Sequence, residues 1–176
     1  MSAQWRYTGN ERPAFADVPG AGQESVWDYP RPPRLVPDTR EVVVRIGALE
    51  LARTRRALRI LETASPPTFY VPFADARLEL MVEAPEVRST FCEWKGSARY
   101  WTLIDGDARL KGVGWSYPSP NPPFQAIANC FSVYPGRVAC FVDGERVRAQ
   151  DGNFYGGWVT SEIVGPWKGD AGTGGW

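Results

Sequence analysis

The sequence predicts a single domain of mainly β (α+β) class, and three observations carry that prediction. Eighteen glycines and 16 prolines punctuate the chain, so long helices have little room. The segments between these breaks are short and rich in Val, Ile, Thr, Tyr, Phe and Trp, the composition of strands. A length of 176 residues suits one sizeable core rather than two independent ones.

Taken in order, residues 1–23 are polar and without periodicity, which predicts a flexible leader unless Trp5 or Tyr7 docks. Residues 24–36 carry Trp27, Tyr29 and Pro30-Arg31-Pro32-Pro33. Each proline fixes φ and disfavours helix in its predecessor, so this segment reads as an extended aromatic arm. Residues 41–46 are β-branched and pair with 48–52 through a turn at Gly47. Thr54 then reads as the cap of a short helix to about Thr63, with Ala57, Leu58, Ile60 and Leu61 in one apolar stripe and Pro66-Pro67 ending it.

Strands are predicted over residues 68–71, 77–82, 97–104, 108–117, 130–134 and 137–142, with hairpin turns at Asp105-Gly106-Asp107 and Asp143-Gly144. Alternation in 97–104 sends Tyr100 to one face and Trp101 to the other, and neither face is fully polar. The body of the domain therefore spans 24–150. The glycine-rich residues 151–176 hold Phe154, Tyr155, Trp158, Trp167 and Trp176, too much apolar surface to leave in water, so this tail is expected to dock on the domain. Trp94-Lys95-Gly96 recurs as Trp167-Lys168-Gly169, a three-residue echo.

Composition narrows the function classes. Twenty basic residues balance 20 acidic ones, leaving no global field for nucleic acid or an anionic membrane. The opening Met-Ser-Ala-Gln-Trp-Arg lacks the apolar core of a signal peptide and no apolar run is long enough to span a bilayer, which predicts a cytoplasmic protein. Three cysteines without short paired spacing predict reduced thiols, and the absence of histidine removes Ser-His and Cys-His dyads. No metal and no cofactor are expected.

Several motifs, in order, resemble a bacterial family known as domain of unknown function 427. They are residues 24–33, residues 54–63, Pro66-Pro67-Thr68-Phe69-Tyr70-Val71-Pro72 with Asp75, residues 92–101, and Trp115-Ser116-Tyr117-Pro118-Ser119-Pro120. Tyr155-Gly156-Gly157-Trp158 and Gly165-Pro166-Trp167-Lys168-Gly169 are similar to the tail of its longer members. Glu93 stands where the family often has proline after the cysteine. The resemblance implies a β-tent-like arrangement of two small antiparallel sheets leaning together with an aromatic-lined pocket between them. The nucleotidyltransferase-like label sometimes given to the family finds no P-loop here and no close Asp pair for magnesium.

Within these motifs the candidate catalytic residues are Lys95, Cys92 and Glu62. Lys95, between Trp94 and Trp101, is a candidate Schiff-base amine or an activator of the Cys92 thiol; the alternative is a buried thiol and an ion-paired lysine. Candidate ligand-binding residues are Tyr70, Trp94, Tyr100, Trp101, Trp115 and Tyr117, whose rings would stack a planar or cationic ligand, with Asp75 to orient it. Arg55, among Arg53, Arg55, Arg56 and Arg59 at the predicted helix start, would hold an anion there, or else lie on a solvated basic face. The expected partner is a small organic ligand; the competing expectation is a non-enzymatic module whose pocket holds its own Trp-rich tail or a partner peptide. Oligomeric state stays open.

Overall fold

The computed structural model describes residues 5–152 and 154–176, so the first four residues of the leader and residue 153 of the tail lie outside it. Two antiparallel sheets dominate. The larger has seven strands in the order Arg34–Asp38, Ala57–Leu61, Thr68–Pro72, Cys130–Val133, Ala108–Ser116, Arg99–Asp105 and Met81–Glu83. The smaller has four, in the order Glu145–Arg146, Ala139–Val142, Val42–Ile46 and Leu49–Thr54.

The main core lies between these sheets. Val42, Val44, Ile46 and Leu51 face Phe69, Val71, Leu103, Phe131 and Val133, all buried. This face is built mostly from aliphatic and phenylalanine side chains, which contribute burial without polar atoms to satisfy. Trp158 of the tail completes it, stacked on Phe69 at 4.9 Å with its indole N–H donating to the Val133 carbonyl at 3.2 Å.

The hairpin signals act as read. Asp143 and Gly144 both take positive φ (45° and 79°), the requirement of a two-residue turn between twisted strands. Gly47 (φ 56°) turns Val42–Ile46 into Leu49–Thr54.

The predicted helix over residues 54–63 is a correction. Residues Ala57–Leu61 form a strand between Arg34–Asp38 and Thr68–Pro72. Thr54 Oγ1 does accept the Arg56 N–H at 2.9 Å, but that bond shapes the turn between two strands. The apolar stripe misled because this strand is covered on both faces: Ala57 enters the main core, while Ile60 and Leu58 join an aromatic cluster on the other side. A five-residue run apolar on both sides cannot be told from a helical one by period alone. The helical elements present are short 3-10 turns, the longest being Pro122–Ile127.

The arm also differs in part, because a 3-10 turn over Val26–Asp28 precedes the prolines, with the Ser25 side chain accepting from the Trp27 N–H. Trp27 is fully buried and donates to the Pro166 carbonyl at 2.9 Å. Leader and tail meet on it: Tyr7 and Phe15 approach its ring at 5.1 and 5.2 Å, and Trp176 at 5.3 Å. No helix of the described residues is long and apolar enough to cross a membrane.

Candidate functional site

The face of the large sheet turned away from the main core has a different composition. Trp115 pairs directly with Tyr100 on one side and Ser132 on the other, and Tyr70 with Leu58. The register that pairs Phe131 with Val71, carried one residue further, sets Ser132 beside Tyr70. One row across five strands thus reads Tyr100, Trp115, Ser132, Tyr70, Leu58, and side chains opposite one another share a face. Tyr117 and Cys130 form the next row, and Tyr134, Trp94 and Cys92 close over the cluster.

The rings are held by directional contacts. The Trp115 indole N–H donates to the Tyr70 hydroxyl at 3.3 Å. Tyr134 lies 4.6 Å from Trp115 and Tyr117 lies 6.4 Å from Tyr70, centroid to centroid. The Tyr100 hydroxyl bonds the Thr90 hydroxyl at 2.8 Å. Burial raises the Tyr70 and Tyr117 phenols above their ordinary range and pushes Tyr134 up to about 12, so all three stay neutral donors at physiological pH. Burial likewise pushes the Cys130 thiol up to about 11, and Cys140 lies fully buried in the main core. These two thiols are packing groups.

Lys95 reaches this face from a tight turn. Phe91–Cys92 pairs with Gly96–Ser97, leaving Glu93, Trp94 and Lys95 at the tip and Gly96 at φ 100°, a conformation that favours glycine. Asn121 clamps the tip: its side-chain amide donates to the Trp94 carbonyl at 2.8 Å and its backbone N–H to the Lys95 carbonyl at 3.1 Å. The Lys95 ammonium then stands 5.6 Å from the Tyr117 ring centroid, a cation–π approach.

Of the residues singled out from sequence, Tyr70, Cys92, Trp94, Lys95, Tyr100, Trp115 and Tyr117 come together here. Four do not. Trp101 faces the main core, 5.4 Å from Phe73, with its N–H on the Ser116 hydroxyl; strand alternation forbids adjacent Tyr100 and Trp101 from sharing a site. Asp75 is taken by the Thr54 hydroxyl and the Arg56 guanidinium, which together hold its carboxyl below the ordinary range. Arg55 has Glu41 at 3.8 Å, and without a helix start the backbone N–H groups expected to join it on an anion are absent. Glu62 pairs with the fully buried Arg31 at 3.3 Å.

Ser132, Tyr134 and Asn121 were missed by sequence reasoning. Ser132 and Tyr134 lay in a predicted strand, with nothing to mark either as a site residue. Ser132 is 1% exposed, and its hydroxyl has no hydrogen-bond partner among the described residues. The tail touches the same face through backbone: a Cβ added to Gly156 would lie 2.2 Å from Trp115 Cη2.

A family model described as a domain of unknown function (DUF427) matches residues 34–144. The chain belongs to this family. No curated protein matches it. The matched span of the DUF427 domain contains Tyr70, Cys92, Trp94, Lys95, Tyr100, Trp115, Tyr117, Asn121, Ser132 and Tyr134, whereas Arg31, Gly156 and Lys168 fall outside it.

Proposed function

We propose that this DUF427 domain binds a small planar organic ligand on the aromatic face of its large sheet, with Lys95 orienting an anionic substituent. The carrying observation is the contrast between the two faces of that one sheet. The face toward the main core is built mostly from aliphatic and phenylalanine side chains, while the other gathers Tyr70, Tyr100, Trp115, Tyr117 and Tyr134, with Lys95 over the Tyr117 ring. Polar-tipped rings can stack a planar ligand and bond its polar atoms. We place the protein in the cytoplasm on its three free thiols.

The test is calorimetric titration and thermal shift with benzoate, nicotinate and indole-3-acetate, alongside an unbiased metabolite pull-down read by mass spectrometry. Saturable binding weakened by Tyr117→Leu, with the fold retained, is the expected result. If no planar anion shifts the midpoint and the pull-down recovers no small molecule, the reading is wrong.

A second reading, an interaction module occupied by its own tail, has one observation in its favour: Gly156 lies against Trp115. The tail tryptophans themselves sit elsewhere, Trp158 in the main core and Trp167 and Trp176 with Trp27. Under this reading Gly156→Val exposes the face to a peptide, and small planar anions still fail to bind.

A further inference from the structure

The recurring tripeptide places two lysines in similar local frames and different surroundings. Gly96 and Gly169 both have positive φ (100° and 142°), and both preceding ammonium groups lie over an aromatic ring, Lys95 over Tyr117 at 5.6 Å and Lys168 over Trp5 at 4.8 Å. Lys95 is half-buried, whereas Lys168 is only 6% exposed. No hydrogen bond or salt bridge to Lys168 Nζ exists among the described residues. A largely buried lysine whose ammonium has no hydrogen-bonded partner is partly desolvated, and a lysine in that setting has an amine available for chemistry.

Its backbone is pinned. The Lys168 N–H donates to the Ala64 carbonyl at 2.9 Å, and its carbonyl accepts from the Gln150 amide at 2.7 Å. That contact brings it to the segment carrying Glu62, two residues before Ala64. Arg31 fixes this segment by binding Glu62 at 3.3 Å and the Thr63 carbonyl at 2.9 Å, and it lies 4.1 Å from the same Trp5 ring. The charges felt at Lys168 are those of Arg31, Glu62 and Glu93. Burial, then the Arg31 charge, lowers its pKa against the opposing pull of the two carboxylates. Glu62 keeps 24% of its side chain exposed and Trp5 is half-buried, so the cluster meets solvent at these two residues.

We infer that Lys168 is a carbonyl-capturing amine, with Glu62 as its proton carrier, for an aldehyde ligand whose flat substituent lies on Trp5. Glu62 and Lys168 meet at Arg31, whose guanidinium binds the Glu62 carboxylate at 3.3 Å and shares the Trp5 ring with the Lys168 ammonium. The ammonium proton passes to the Glu62 carboxylate, directly or through water. The Nζ lone pair then attacks the carbonyl carbon, the C=O π pair moves to oxygen, and a proton shifts from nitrogen to that oxygen to give a carbinolamine. Glu62 returns its proton to the hydroxyl, the C–O bond breaks, water leaves, and the nitrogen pair forms the C=N bond of a protonated imine. Amine, carbonyl, imine and water balance without any oxidant or reductant. The site uses neither Lys95 nor the rings of the aromatic face, so either reading can fail alone.

The chain has three lysines, Lys95, Lys111 and Lys168, which makes the test site-resolved. The full chain is treated with benzaldehyde and sodium cyanoborohydride and digested, and the N-benzyl adduct is quantified at each lysine by mass spectrometry. Despite its burial, Lys168 should carry about tenfold more adduct than the exposed Lys111, and its labelling should reach half-maximum at a lower pH. Glu62→Gln, which keeps an acceptor for Arg31, should slow labelling at Lys168 several-fold with the thermal midpoint little changed. Labelling that follows exposure, with Lys111 at or above Lys168, overturns the proposal even if no variant folds. Unchanged labelling in a folded Glu62→Gln variant removes Glu62 from it.

Discussion

The indole N–H of Trp115 donates to the hydroxyl of Tyr70 across 3.3 Å, although a strand separates the two residues. Ser132 on that intervening strand is the small side chain beneath the bond, which is why its hydroxyl is sealed from water. Trp115→Phe removes the donor, and Tyr70→Phe removes the acceptor. Each single change should cost about 1–3 kcal/mol, because each leaves a buried polar atom unpaired. The double variant should cost less than the sum of the two. Urea unfolding of the four proteins measures the cycle, and strict additivity would remove the bond from the account.

Gly156 has no room for a side chain, since the first added carbon would meet the Trp115 ring. Gly156→Val should therefore lift this segment from the aromatic face rather than compress the ring against the sheet. The expected signature is faster amide exchange at Gly157, whose N–H bonds the Gln150 side chain at 3.1 Å, with a stability loss of about 1–3 kcal/mol. Unaltered exchange there would mean that the ring moves instead.

Acid sensitivity should centre on one ion network. Asp38 is buried, which on its own raises its pKa, but hydrogen bonds from the Arg40 side chain and backbone and the charge of Arg59 outweigh burial and bring it below the ordinary value. Glu24 is lowered in the same way, with burial overcome by hydrogen bonds from Arg59 and Tyr29. A carboxylate depressed in the folded state adds stability that is full above its unfolded pKa of about 4 and is lost as pH falls through the folded value. Wild-type stability should fall steeply below about pH 4, and Asp38→Asn should lower stability at neutral pH while flattening that acid limb. Parallel acid limbs in the two proteins would show that Asp38 does not set the slope.

Most of the strand positions follow from local chemistry, because Asp-Gly turns and period-two alternation are written within a few residues of where they act; the pairings of Thr68–Pro72 with Cys130–Val133 and of Val42–Ile46 with Ala139–Val142 do not. One exception, Ala57–Leu61, lies where a strand is covered on both sides, so the pattern does not reveal the period; another is the strand expected over 77–82, where a 3-10 turn spans Leu78–Leu80 and the strand begins only at Met81. The aromatic site was legible to the same depth. Tyr70, Tyr100, Trp115 and Tyr117 sit on strands whose alternation points them one way, and Trp101 is excluded by that same rule. Glu62 was singled out without its partner. Its neighbours Arg31 and Lys168 lie 31 residues before and 106 residues after it, and no periodicity reaches that far. The Trp-Lys-Gly echo was the one trace of Lys168 in the sequence.

Lys95 separates the binding and structural readings most sharply. Its turn is held by Asn121 through the backbone of Trp94 and Lys95, so the ammonium is not needed to shape it. Lys95→Met keeps the length and the apolar stem of the side chain and removes only the charge above Tyr117. Stability should stay within about 0.5 kcal/mol of wild type, the range of substitutions that break no buried contact. Affinity for benzoate should fall about tenfold, and the salt dependence of binding should weaken with it, because a screened charge–charge attraction has been removed. Cys92→Ala, measured in parallel, should leave benzoate affinity unchanged, since the charge that holds the carboxylate is that of Lys95. Full benzoate affinity in Lys95→Met would take the lysine out of the site; a large drop in its thermal midpoint, with affinity falling in proportion, would assign it to the fold instead.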